Sequence, residues 1–145
     1  AEVDRIATGL LHEGVVKGDR VGIWAPNCAE WTVIQFATAK IGAVLVTINP
    51  AYRVSEVEYA LNKVGCSVLV TAPSFKTSDY IGMLRELGPK KLPFVRLMIS
   101  LEMLGASASL IVYDRDGAAV SCAFSLNNLF GTGRMVPITR LEEQP

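Results

Sequence analysis

Apolar residues recur along the first hundred positions in two alternating rhythms. Val3, Ile6, Ala7, Leu10 and Leu11 fall at helical spacing with Gly14 as a stop, which predicts a helix over residues 1–14 with one apolar stripe. The polar turn KGDR then leads into VGIWA at 21–25, a short continuous apolar run closed by Pro26, as a strand buried on both faces should be. Asn27 with Glu30 three residues later is a capping-box pattern and predicts a helix over 28–41 ending at Gly42. The cycle repeats. AVLVTI at 43–48 reads as a strand, NPAYR as a turn, and SEVE at 55–58 as a second capping box opening a helix that stops at Gly65. SVLVT at 67–71 is a third strand. APSFKTSDY supplies proline and hydroxyl caps for a helix at 77–87, GPKKLP closes it, and FVRLMIS at 94–100 is a fourth strand.

Strands alternating with helices of about ten residues are βαβ units, so the expected fold class is α/β: a parallel sheet with right-handed crossovers and helices on both faces. After residue 101 the pattern weakens. LIVYDRDGAAVSCAF reads as two strands around an Asp-Gly turn, SLNNLFG as a short helical turn, and PITRLEEQP as an exposed tail. Residues 1–100 are thus the alternating core and 101–145 a less regular extension.

Composition narrows the partners. The 145 residues are half apolar and carry fourteen cations against fourteen anions, so the basic footprint of a nucleic-acid binder is missing. No apolar run approaches the roughly 18 residues of a membrane-spanning helix. Residues 1–14 carry acids and a helical rhythm rather than the features of a secretory signal, so a cytoplasmic or mitochondrial rather than secreted setting is expected. The chain opens on an amphipathic helix without an initiator Met, and is expected to be a piece of something larger. Cys28, Cys66 and Cys122 are widely separated and unpaired in spacing, which reads as reduced packing thiols rather than a zinc site.

Candidate chemistry is sparse. A phosphate-binding corner after a strand needs glycines so that backbone N–H groups can approach the anion, and the corner here, APNCAE, has a proline and a carboxylate instead. GTGR at 131–134 lacks the third glycine and does not follow a strong strand. His12 is the only histidine, near the end of a helix, with nothing placed to make it a base. Asp114 and Asp116 flank Arg115 in a hairpin turn, where carboxylates are solvated, and Trp24 and Trp31 have the size to pack between sheet and helix. Serine-nucleophile, HExxH, CxxC and GK[ST] motifs are absent. The expectation is therefore no catalytic and no metal-binding residue within this chain.

GVVKGDRV, PNCAEW, KIGAVLVTINPAYR and EVEYALNKVGC together resemble the opening of the large N-terminal domain of the adenylate-forming (AMP-binding) enzymes over about residues 5–100. NPAYR and EYAL are most similar to the fatty acyl-CoA synthetases, the medium-chain type in particular. The resemblance makes residues 1–145 an incomplete AMP-binding domain. It implies a parent enzyme that activates a medium- or long-chain fatty carboxylate with ATP and Mg²⁺, then transfers it to coenzyme A. The family's phosphate loop and catalytic lysine have no counterpart in the 145 residues, so the fragment itself is expected to be inactive and to bind no cofactor tightly. By the same resemblance Tyr52, Arg53 and Lys76 are candidates for the side where CoA docks, the cations pairing with its phosphates. The alternative is that Tyr52 packs and both cations are solvated. An aryl or other carboxylate-CoA ligase, and a non-catalytic α/β interaction module, remain rival readings. A partial sheet should also expose apolar faces, which leads to an expectation of self-association.

Overall fold

Glycine stops and apolar runs become elements where the pattern places them. The computed structural model describes residues 2–101 and two further strands at 107–113 and 119–125. Helix α1 spans Glu2–His12, with Glu2 and Asp4 in its first turn and His12 in its last, the charge order the helix dipole favours. Strand β1 (Arg20–Trp24), helix α2 (Ala29–Ile41), strand β2 (Val44–Thr47), helix α3 (Val54–Val64) and strand β3 (Val68–Thr71) follow. Three helices stop identically. Gly14, Gly42 and Gly65 have φ of 78°, 76° and 62°, and the next residue's N–H reaches back to Leu10, Thr38 and Leu61 respectively. This left-handed stop satisfies carbonyls the helix end would otherwise orphan, and glycine enters it without steric cost.

A two-residue hairpin, β4 (Ser74–Phe75) and β5 (Ser78–Asp79), precedes helix α4 (Tyr80–Lys91). Asp79 caps α4, its carboxylate accepting from the Gly82 N–H at 2.9 Å. The helix breaks at Gly88 (φ 65°, ψ 175°) ahead of Pro89, as GPKKLP anticipates. Strands β6 (Leu97–Leu101), β7 (Ser107–Tyr113) and β8 (Ala119–Ser125) complete the large sheet, ordered β2-β1-β3-β6-β7-β8. β2, β1, β3 and β6 are parallel. The two strands expected on either side of the Asp-Gly turn form, but β7 and β8 run antiparallel to their neighbours, so the sheet is parallel only through β6. The Asp-Gly turn itself, with Asp114 to Asp116, lies outside the described residues, as do 126–145 with GTGR and the tail.

Neither capping box forms at the residues expected: α2 has none, and that of α3 starts at Arg53. Pro26 holds the chain extended, Cys28 is the boundary residue of α2 without a side-chain cap, and Asn27 therefore lies one residue too early to reach the first turn. In α3 the boundary is Arg53, whose backbone N–H donates to the Glu56 carboxylate at 2.6 Å, so Glu56 rather than Glu58 reaches back. The β1-to-β2 crossover runs one way across the sheet and the β2-to-β3 and β3-to-β6 crossovers run the other, which places α1 and α2 on one face and α3 and α4 on the other. Val21, Ile23, Val68, Leu69 and Val70 are fully buried between these layers. Gly22 is small for a reason. A Cβ there would meet the Cys66 sulfur at 2.9 Å, Leu69 at 3.2 Å and Ile48 at 3.3 Å.

Candidate functional site

In open α/β sheets ligands bind beyond the carboxyl ends of the strands, where the strand order reverses, and here that point lies between β1 and β3. The molecule fills it with its own side chains. Trp24, the last residue of β1, stacks on Tyr80, the first of α4, with ring centroids 3.9 Å apart and planes at 22°. Both are fully buried. The Trp24 carbonyl accepts from the Thr71 hydroxyl at 3.0 Å and the Ala72 N–H at 3.1 Å, which closes the gap between the strand ends.

The two rings also grip the loop after β2. Trp24 Nε1–H donates to the Asn49 carbonyl at 3.2 Å and Tyr80 O–H to the Pro50 carbonyl at 2.6 Å, so consecutive carbonyls of the turn are held by stacked aromatic donors. Burial pushes the Tyr80 phenol above its ordinary range, keeping it protonated as a donor. Within the turn, Asn49 Oδ1 accepts from the Ala51 N–H at 2.9 Å, a local bond that asparagine makes readily. Sequence reasoning gives Trp24 a packing role and misses Tyr80, because its partners lie 30 residues away in the chain.

This grip positions two of the three candidate residues on one corner. Arg53 Nη1 donates to Ser78 Oγ at 2.9 Å, tying the turn to the β4–β5 hairpin. Lys76 sits at that hairpin's tip with φ of 53°, the only non-glycine described in the left-handed region, and its ammonium lies 5.2 Å from the Phe75 ring centroid. Both cations are exposed. Tyr52 departs from them: half-buried, it packs against the core and lines a separate open groove of about 880 Å³ with Trp31, Tyr59 and Lys63. The β1–α2 corner offers no phosphate cradle. Its exposed Asn27 borders that groove, and Glu30 occupies the first turn of α2.

Nucleophiles and metal ligands are equally scarce among the described residues. Burial pushes the Cys66 thiol up to about 11 and raises that of Cys28, so neither is a thiolate near neutrality. His12 lies exposed at the end of α1. No three His, Cys, Asp or Glu side chains gather into a metal-binding group among the described residues.

A family model described as AMP-binding enzyme matches residues 1–128. The chain belongs to the AMP-binding enzyme family. Among members of that family, the mitochondrial medium-chain acyl-CoA ligase ACSF2 of Danio rerio is 49% identical over 89 residues, 61% of this chain and 15% of that protein. The Rattus norvegicus counterpart is 52% identical over the same share of this chain and 14% of its own length. The solved acetoacetyl-CoA synthetase from Streptomyces lividans superposes with a TM-score of 0.64 at 30% identity, covering 72% of this chain and 17% of that one. The chain thus spans about a seventh of the curated AMP-binding relatives it matches, and its α/β fold superposes on that of the solved synthetase.

Proposed function

We propose that this chain is the N-terminal part of the large domain of an AMP-forming fatty acyl-CoA ligase, and that it serves there as architecture rather than as the reacting surface. The observation that carries the reading is the match of residues 1–128 to the AMP-binding enzyme family, joined to 49–52% identity with medium-chain acyl-CoA ligases. In the parent reaction a carboxylate oxygen attacks the α-phosphorus of ATP and expels pyrophosphate. The thiol of coenzyme A then attacks the acyl carbon and expels AMP. Mg²⁺ would screen the triphosphate charge in the first step. Among the described residues no ligand set gathers for it.

What this chain contributes is a filled strand-end crevice and a rigid corner. Arg53 and Lys76, exposed on one hairpin corner, are the groups suited to pair with CoA phosphates, while the packed Tyr52 borders the neighbouring groove. Of the two expected compartments, the mitochondrial one is that named for the vertebrate relatives. A second reading, a ligase for another carboxylate, is favoured by the likeness to an acetoacetyl-CoA synthetase.

The complete reading frame containing this segment should release pyrophosphate fastest with medium-chain fatty acids. A preference for aryl or short oxo acids selects the second reading. The 145-residue chain alone should form no acyl-AMP and show no micromolar heat of binding with ATP or CoA, and either signal would refute the architectural role. In the complete enzyme, Arg53→Ala and Lys76→Ala should raise the KM for CoA with that for ATP unchanged. An unmoved CoA KM removes both from the site.

A further inference from the structure

Residues 78–80 grip the turn after β2 at two points. Tyr80 holds its backbone, the O–H donating to the Pro50 carbonyl at 2.6 Å, and Ser78 holds a side chain, its Oγ accepting from Arg53 Nη1 at 2.9 Å. Arg53 is fixed a third time where its own N–H donates to the Glu56 carboxylate at 2.6 Å as α3 begins. An exposed arginine ordinarily samples many rotamers, and ordering it on a ligand costs binding energy. Here backbone and guanidinium are both set beforehand.

The holding groups preserve charge. Ser78 accepts as a neutral hydroxyl, and its single bond takes only one of the several N–H donors of the guanidinium. A carboxylate in its place would hold the arginine as firmly and cancel the charge a phosphate needs. Lys76 is treated alike: its ammonium lies 5.2 Å from the centroid of the Phe75 ring, again a neutral partner. Glu56 and Asp79, the carboxylates near them in sequence, accept the backbone N–H groups of Arg53 and Gly82 instead. Phe75 and Ser78 are paired across the β4–β5 hairpin, so one rung supplies the group that holds each cation. Lys76 reaches its place only through the left-handed backbone at φ 53°, a conformation that persists in a residue with a side chain where its surroundings impose it.

We propose, on the reading of this corner as the CoA side, that Ser78 is a positioning residue: it aims the Arg53 guanidinium so that Arg53 and Lys76 meet the CoA phosphates as a preset pair. In the complete enzyme at saturating ATP and fatty acid, Ser78→Ala should raise the KM for CoA about fivefold and leave kcat, the KM for ATP and the melting temperature unchanged. Ser78→Thr keeps the hydroxyl and should stay within about twofold of the wild type. Arg53→Lys keeps the charge, loses the planar fork and leaves the hairpin untouched, and it should also raise the KM about fivefold. Arg53→Ala should raise it by about tenfold or more, and adding Ser78→Ala should change nothing further, because a residue that acts through the guanidinium is silent once the guanidinium is gone. Additive losses in the double variant overturn the proposal, as does a Ser78→Thr enzyme as impaired as Ser78→Ala or an Arg53→Lys enzyme with the wild-type KM. A Ser78→Ala loss shared by kcat, the KM for ATP and the melting temperature also overturns it, by showing a staple between turn and hairpin. An unmoved KM in Ser78→Ala with Arg53→Ala impaired removes Ser78 alone. An unmoved KM in Arg53→Ala removes the CoA reading of the corner and the proposal with it.

Discussion

The two ends of the sheet are built on different principles. At the amino ends of the parallel strands the connections are closed by their own backbones: the glycine stops of α1, α2 and α3 each satisfy their carbonyls within six residues. Side chains add to this: Ser67 Oγ donates to the Arg20 carbonyl at 3.3 Å, Asn62 Nδ2 to the Lys91 carbonyl at 2.8 Å, and Asp19 Oδ2 accepts from the Val16 N–H at 2.9 Å. The Arg96 guanidinium donates to the carbonyls of Glu13 and Gly14 and to the Asp19 carboxylate, pinning the loop after α1. At the carboxyl ends the loops are held from far away in the chain, by Trp24 and Tyr80 reaching the turn after β2 and by Arg53 reaching Ser78. Backbone closure at each glycine stop makes an end that leans less on any one side chain. Remote closure makes an end whose geometry depends on a few buried donors, and there the exposed cations sit.

The comparison breaks most severely at Trp24. Trp24→Ala removes a fully buried ring, its stacking partner and the Asn49 anchor, and should cost about 3–5 kcal/mol, read as a fall in the denaturant midpoint. Alkaline pH probes the opposite end. The folded Cys66 thiol, held up to about 11 by burial, keeps its proton above the unfolded value of 9.0, so the stability it confers is intact below pH 9 and is lost as pH climbs towards 11. The loss should be on the order of 2 kcal/mol, and a Cys66→Ala chain should show a flatter melting profile over that range.

Tyr80→Phe sharpens the contrast, because it keeps the stacked ring and deletes only the bond to Pro50. It should cost about 1–2 kcal/mol and speed amide exchange in the 49–53 turn without touching the glycine stops. Gly65→Ala should cost about 1 kcal/mol by forcing a Cβ into the left-handed stop of α3, where space is open and conformation is the whole penalty. Smallest is Arg96→Gln. Its ion pair with Asp19 is part-exposed and the loop keeps its backbone bonds, so a change under about 1 kcal/mol in thermal stability is expected.

The same division explains what could be read from the amino-acid order. Glycine stops, apolar strands and βαβ alternation are local signals, and residues 2–101 follow them to within a few positions at each element. The capping boxes failed because a box depends on where the helix starts, and Pro26 and the turn at 49–53 moved those starts. The direction of β7 and β8 carries no signature in apolar runs, although the hairpin itself does. At the candidate site the cations were legible as residues of a resembled motif. The clasp that brings Arg53 to the hairpin of Lys76 was not, since Tyr80 and Ser78 acquire meaning only when α4 folds back over β1.

Gly22 and Cys66 show one further thing about such a sheet. The sulfur occupies the space a methyl group on residue 22 would claim, with Leu69 and Ile48 closing in at 3.2 and 3.3 Å, so a strand in the middle of the sheet and three neighbours share one tight space. Enlarging residue 22 obliges residue 66 to shrink and both aliphatic tips to give way. Redesign of this layer must treat the four sites as one choice.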